Sequence, residues 1–134
     1  YGYSPSMRFD AVINNFLFQA NFEHKLSIHG TGAQTRAFIH IDNASDALAQ
    51  IPFSELPSGV YNMVTKNLAV NDIAEVICTL YPQCDRIFIN QHLQLGSIRV
   101  STDSPFWKYI QVEQRSLMEE LADFKAKFAF SGWD

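Results

Sequence analysis

Cysteine is scarce in this chain: Cys78 and Cys84 are the two among 134 residues. Two thiols cannot staple a small secreted scaffold, and their spacing is not that of metal ligands. Positive charge is scarce as well. Ten Lys and Arg stand against fourteen Asp and Glu, a net charge of −4, which gives no general attraction to nucleic acid or to an anionic membrane surface. An anionic ligand has to be met by individual arginines. No run approaches the roughly 18 apolar residues that suggest a membrane span. The first residues do not read as a basic-then-apolar leader, and a reducing cytoplasm is the expected compartment.

Catalytic signatures are missing too. His24, His29, His40 and His92 form neither an H-E-x-x-H pattern nor a His/carboxylate pair at ligand spacing. Carbonyl-reducing enzymes of the short-chain type use a Tyr with a Lys four residues on, the Lys lowering the phenol pKa. Here Tyr1, Tyr3, Tyr61, Tyr81 and Tyr109 are followed at that spacing by Pro5, Met7, Thr65, Asp85 and Glu113. No G-x-S-x-G nucleophile turn occurs. The expectation is a chain with no catalytic and no metal-binding residue of its own.

What is present is a folding pattern. Hydrophobic residues make up 47% of the chain, with eleven Phe, which excludes a disordered tail and predicts one domain over residues 1–134 with a real core. Phe9, Val12, Ile13, Phe16, Leu17 and Ala20 recur at helical spacing and predict a helix over about 10–23. "LSIH" and "RAFIHI" read as short strands on either side of a glycine turn, and "DNASDALAQI" as a short helix capped by Asp42. Val60 to Met63 reads as a strand. Asn71 then caps a helix with Ile73, Ala74, Ile77 and Leu80 on its stripe, stopped by Pro82. Cys78, in the run "AEVICTL", reads as a buried helical thiol. "RIFIN" and "SIRVS" look like further strands, and Ser104-Pro105 opens a short turn of helix. The last helix is the clearest: Ser116 to Glu119 is a capping box, Leu117, Leu121, Phe124 and Phe128 form one stripe, and Asp123 and Lys127 are spaced to pair. The sum is a mixed α/β unit with about four helices and short scattered strands, not a complete doubly wound domain.

Gly30-Thr31-Gly32 invites a phosphate-loop reading. A dinucleotide fingerprint needs three glycines and must open a helix whose N-terminal amides meet the phosphate. The third glycine position holds Thr35, and "RAFIHI" is β-branched and aromatic, so the loop leads into a strand. A hairpin-like turn that binds no cofactor is expected.

The order of the pieces carries a resemblance. "YGYSPSMRFDAVINNFLFQA", "LSIHGTGAQTRAFIHIDNASDAL", "SGVYNM" followed by a helix, and "IRVSTD" together resemble the C-terminal half of the extended short-chain dehydrogenase/reductases, the NAD-dependent sugar-nucleotide epimerases and dehydratases. Arg36 to Asp42 resembles that family's R-x-F-[IV]-H-V-x-D segment, with Ile41 at its Val and Asp42 one position ahead of its Asp, and Tyr1-Gly2 looks like the end of its N-x-Y-G-P segment. The resemblance implies a small substrate-binding lobe of a Rossmann-type epimerase. NAD would be bound mainly by an N-terminal Rossmann domain lying before Tyr1, and redox chemistry at the sugar C4 would belong to the whole enzyme.

It also implies roles for individual residues. Arg36 would contact the diphosphate of a UDP- or dTDP-sugar, as suits a guanidinium fork. Leu26, Ser27 and His29 would line the base, with His29 stacking on it. Arg99 would lie near the phosphates or ribose, and Arg8 near the mouth of the site. "QHLQLGS" departs from the family before the Arg99 block. A homodimer is compatible with the resemblance, and the rival reading is a diverged, non-enzymatic lobe kept for interaction or oligomer contacts.

Overall fold

The computed structural model describes residues 1–128. Helix α1 (Val12–Phe22) buries Ile13, Phe16, Leu17 and Ala20 on one face, as the apolar spacing requires. Strand β1 (Lys25–His29) alternates in exposure, with Leu26 and Ile28 fully buried. Strand β2 (Thr35–Phe38) leads to helix α2 (Ile41–Gln50), and strand β3 (Lys66–Ala69) runs directly into helix α3 (Val70–Leu80). Strand β4 (Asp85–Ile89) and helix α4 (Leu117–Lys127) complete the regular elements of the described residues, with 3-10 turns at Ile51–Phe53 and Pro105–Lys108.

Two separate two-stranded ladders result. β1 and β4 pair in parallel, Lys25 opposite Asp85 and His29 opposite Ile89. β2 and β3 pair antiparallel, Thr35 opposite Ala69 and Phe38 opposite Lys66. The main core lies where α1, α3 and α4 meet β1, with Ile73, Ile77, Leu121 and Phe124 filling it. A smaller cluster of Ala47, Phe106 and Ile110 sits under α2. The mixed α/β architecture with four helices and short strands is the expected one.

Several local expectations are corrected. β1 and β2 do not form a hairpin, because the turn between them carries the chain from one ladder to the other. Residues 60–63 form no strand. Val60 is fully exposed there, and the Tyr61 hydroxyl donates to the Pro57 carbonyl at 2.7 Å, holding a loop. The true partner of β2 is β3, an unforeseen strand. "SIRVS" lies beside these strands without joining a ladder, through Ile98 N–H to the Thr35 carbonyl at 2.9 Å.

The caps shift too. His40, not Asp42, caps α2, its Nδ1 accepting from the Asp42 amide at 3.2 Å. α3 starts after Ala69, before the expected Asn71, and the Asp72 carboxylate accepts from the Ala69 amide at 3.3 Å. The Ser116–Glu119 capping box is present. Asp123, however, pairs with Arg115 at 2.5 Å rather than with Lys127, which lies over the Tyr3 ring.

Candidate functional site

The glycine turn can be tested through its own amides. Gly30 and Gly32 both have positive φ, +70° and +74°, the region that glycine enters without strain. The N-terminus of α3 does pack against this turn, but its first two amides are already used. Val70 N–H donates to the Gln34 carbonyl at 3.1 Å and Asn71 N–H to the Gly32 carbonyl at 2.9 Å. The Asn71 side-chain amide closes the same turn on the Thr31 carbonyl at 3.0 Å. A β-carbon at Gly32 would lie 2.0 Å from Asn71 Oδ1, so the turn is a tight clasp that only glycine fits.

Between α1 and the end of β1 lies a cleft of about 200 Å³. Phe16 and Val70 supply apolar wall, and Asn15, Gln19, Ser27, His29 and Gln34 supply polar groups. Hydrogen bonds tie four of these residues together in pairs. Gln19 Oε1 accepts from the Ser27 amide at 2.9 Å, and Gln34 Nε2 donates to the His29 carbonyl at 3.0 Å. His29 is exposed at the strand end, with its ring available to a ligand. A second hollow of similar volume, lined by Tyr3, Ser4, Met7, Phe9, Phe18 and Phe22 among others, is mainly apolar. The α1–β1 cleft is the better candidate because specific recognition needs a few placed polar groups on an apolar wall.

The expected site residues divide among several locations. Ser27 and His29 line the cleft, while the Leu26 side chain is fully buried in the core and presents nothing to it. Arg8 is exposed at the rim, forked onto Asp10 at 3.0 and 2.6 Å, and Asp10 borders the cleft. The Arg8 hydrogen bond holds the Asp10 carboxyl below its ordinary pKa. Arg36 does not border this cleft. Its Nη1 donates to the Gly96 carbonyl at 2.6 Å and to the Thr35 carbonyl at 2.9 Å. Among the described residues no carboxylate pairs with it, neither Asp42 nor Asp46. Arg99 is exposed on the segment that runs beside β2, between Ile98 and Val100, whose amides donate to the Thr35 carbonyl and to Asn67 Oδ1.

A polar cluster went unforeseen. Glu120, 2% exposed, holds Lys66 Nζ on both carboxylate oxygens at 2.9 Å each and accepts from the Tyr1 hydroxyl. Burial, reinforced by the bond to Glu120, pushes the Tyr1 phenol well above its ordinary pKa. The phenol is therefore a fixed donor, not an acid. The signal was in the sequence: Glu120 falls on the Leu117–Leu121–Phe124 stripe, where a charge needs a partner. Among the described residues no cluster of metal-ligating side chains occurs, and no helix is long and apolar enough to cross a membrane.

The fold is that of the C-terminal lobe of short-chain dehydrogenase-type epimerases, and the chain resembles NAD-dependent sugar-nucleotide epimerases and dehydratases over most of its length. A plant relative, the trifunctional UDP-glucose 4,6-dehydratase/UDP-4-keto-6-deoxy-D-glucose 3,5-epimerase/UDP-4-keto-L-rhamnose-reductase of Arabidopsis thaliana, is 26% identical over 122 residues, 88% of this chain and 18% of its own length. Two solved structures have the same lobe. UDP-glucuronic acid 4-epimerase from Bacillus cereus, in complex with UDP-glucuronic acid and NAD, superposes with a TM-score of 0.75 at 19% identity, over 92% of this chain and 41% of that one. UDP-N-acetylglucosamine 4-epimerase from Methanobrevibacter ruminantium M1, in complex with UDP-N-acetylmuramic acid, gives 0.75 at 22% identity, over 96% and 43%. The chain thus spans less than half the length of each of these proteins. No protein-family model matches it.

Proposed function

We propose that this chain is the nucleotide-sugar-binding portion of an NAD-dependent sugar-nucleotide epimerase or dehydratase acting at the sugar C4. The observation that carries the reading is the α1–β1 cleft, a small half-polar recess on the fold shared with UDP-sugar epimerases. The base of a UDP- or dTDP-sugar enters this cleft, against His29 and within reach of Ser27 and Asn15. Its diphosphate extends toward Arg36, whose remaining guanidinium donors have no partner among the described residues. Arg8, at the cleft rim on Asp10, and Arg99, exposed on the segment beside β2, supply supplementary positive charge.

The glycine turn does not suit the phosphates of NAD, because the Gly30 amide and the first two amides of α3 are spent on carbonyls. No step at the cofactor is assigned to this chain, and the catalytic Tyr-x-x-x-Lys and glycine-rich loop belong to the rest of the protein. The test is calorimetric titration of UDP, dTDP and NAD into the purified chain. UDP or dTDP binds and NAD does not. Arg36→Ala weakens nucleotide binding about tenfold or more, the value of a charge-assisted phosphate contact, while circular dichroism stays unchanged. Undiminished affinity in Arg36→Ala removes the arginine from the site, and saturable NAD binding overturns the division of labour.

A further inference from the structure

Cys78 lies in the last turns of α3 and Cys84 just before β4, six residues apart. Two backbone bonds fold the chain sharply between them. Tyr81 N–H donates to the Ile77 carbonyl at 2.9 Å, and Cys84 N–H donates back to the Tyr81 carbonyl at 2.9 Å, with Pro82 inside the turn. The turn is further held from α4, where Lys125 Nζ donates to the Leu80 carbonyl at 2.6 Å and stands 4.3 Å over the Tyr81 ring. Cys78 Sγ donates to the Cys84 carbonyl at 3.7 Å, which brings that thiol against the Cys84 backbone, and Cys84 Sγ donates to the Asp85 carbonyl at 3.9 Å. Both are half-buried, neither sealed in the core nor fully exposed. Neither borders the α1–β1 cleft, so the nucleotide-binding reading leaves this pair unexplained.

We propose that Cys78 and Cys84 are an oxidisable dithiol, which a low-molecular-weight disulfide of the glutathione class converts into an internal disulfide. One cysteine, as thiolate, attacks the small disulfide, forming a mixed disulfide and releasing one small thiol. The other cysteine, losing its proton, attacks the bound sulfur and releases the second. The protein loses two hydrogens and two electrons, and the small disulfide is reduced to two thiols. The new bond ties the end of α3 to the start of β4, the strand that pairs with β1 opposite Ser27 and His29. Burial and the neighbouring Cys78 push the Cys84 thiol up to about 11, so it is protonated near neutrality and the reduced pair is slow to react without an excess of oxidant. This reading stands independently of the nucleotide site.

The experiment treats the purified chain with excess oxidised glutathione under mildly alkaline conditions, alkylates with iodoacetamide and weighs the product. Wild type should appear two hydrogens lighter, with no adduct and no alkylated thiol, and dithiothreitol should reverse the change. Cys78→Ser and Cys84→Ser should each retain one thiol that is alkylated or carries glutathione. Wild-type protein recovered with both thiols alkylated, or with a stable glutathione adduct on either, overturns the proposal. The oxidised protein should also melt at a higher temperature than the reduced one. A lower melting temperature would show that the bond forms only by distorting the turn, and the proposal fails on that outcome as well.

Discussion

The two ladders of this lobe are held in place by different forces. β1–β4 is anchored by apolar burial: Leu26 and Ile28 are fully enclosed by α1 and α3, and the ladder needs no side-chain polar contact from those residues. β2–β3 is nowhere fully enclosed along β3 and is strapped instead by polar groups. Lys66 sits on Glu120; Asn67 donates to the Val100 carbonyl at 2.8 Å and accepts from the Val100 amide at 3.0 Å; Arg36 reaches the Gly96 carbonyl. Burial is graded and tolerant, whereas a buried polar strap is stable only when every member is satisfied. The cleft residues Ser27 and His29 ride on the tolerant ladder. Arg36 rides on the demanding one.

The largest effect should come from cutting the strap. Lys66→Met leaves the Glu120 carboxylate buried without its counter-charge, and loss of one partner of a buried pair costs about 3–5 kcal/mol. Replacing both, Lys66→Met with Glu120→Leu, should recover most of that loss, because the desolvation of two charges disappears with their attraction. Urea denaturation of the single and double variants measures both. A single substitution costing under about 1 kcal/mol would mean that the pair is solvated in practice, and the contrast between the ladders would collapse. Next in size is the apolar counterpart. Ile28→Ala should cost about 2–4 kcal/mol by loss of transfer energy and the cavity left. Ile28→Val should cost only about 1 kcal/mol. That grading is the mark of the apolar ladder, since the charged strap has no intermediate form of the same kind.

The same division decides what could be read from the sequence. Apolar periodicity is written locally, so α1, α3, α4, β1 and β4 were legible from the spacing of residues such as Ile13, Leu17, Ile73, Ile77 and Leu121. The capping box at Ser116 was equally plain, since both partners lie within one turn. β3 was not legible. "KNLA" has no alternation, and it becomes a strand because Phe38 and Arg36 stand opposite it and Lys66 finds Glu120, 54 residues away. The region around Val60 had β-branched and aromatic residues but no partner strand, so propensity lost to topology. Among the residues lining the α1–β1 cleft, Ser27 and His29 were singled out from the sequence, whereas Asn15, Gln19 and Gln34 were not, because their place in the cleft depends on how α1 and the glycine turn pack. Arg36's bond to Gly96 spans 60 residues and left no trace in any local pattern.

The smallest expected effect concerns pH, and it sharpens the contrast. His40 follows β2 and caps α2 through an unprotonated Nδ1 that accepts from the Asp42 amide. Its ring is packed edge-on against Tyr1, and the side chain is 10% exposed. Burial lowers its pKa, opposed by the nearby carboxylates of Asp42 and Glu120. The sign follows from proton binding. In the unfolded chain the imidazole takes up a proton near pH 6.5, while in the folded chain it does so only at lower pH. The unfolded state therefore binds more protons in that interval. His40's contribution is complete above about pH 6.5 and falls as the pH drops through the folded pKa. Protonation would also turn Nδ1 from acceptor to donor, trading the helix cap for Asp42 Oδ2, 3.6 Å away, so part of the loss is recovered. His40→Asn keeps a capping acceptor and removes the titration, and its urea midpoint should fall less than that of wild type between about pH 6.5 and pH 5. The same shallow slope should persist in an Ile28→Ala background, because the acid-sensitive cap belongs to the β2–β3 side and the deleted methyls to the other ladder. Equal slopes in wild type and His40→Asn would remove His40 as the source of acid sensitivity, and a slope that changes with Ile28→Ala would show that the two ladders are energetically one unit.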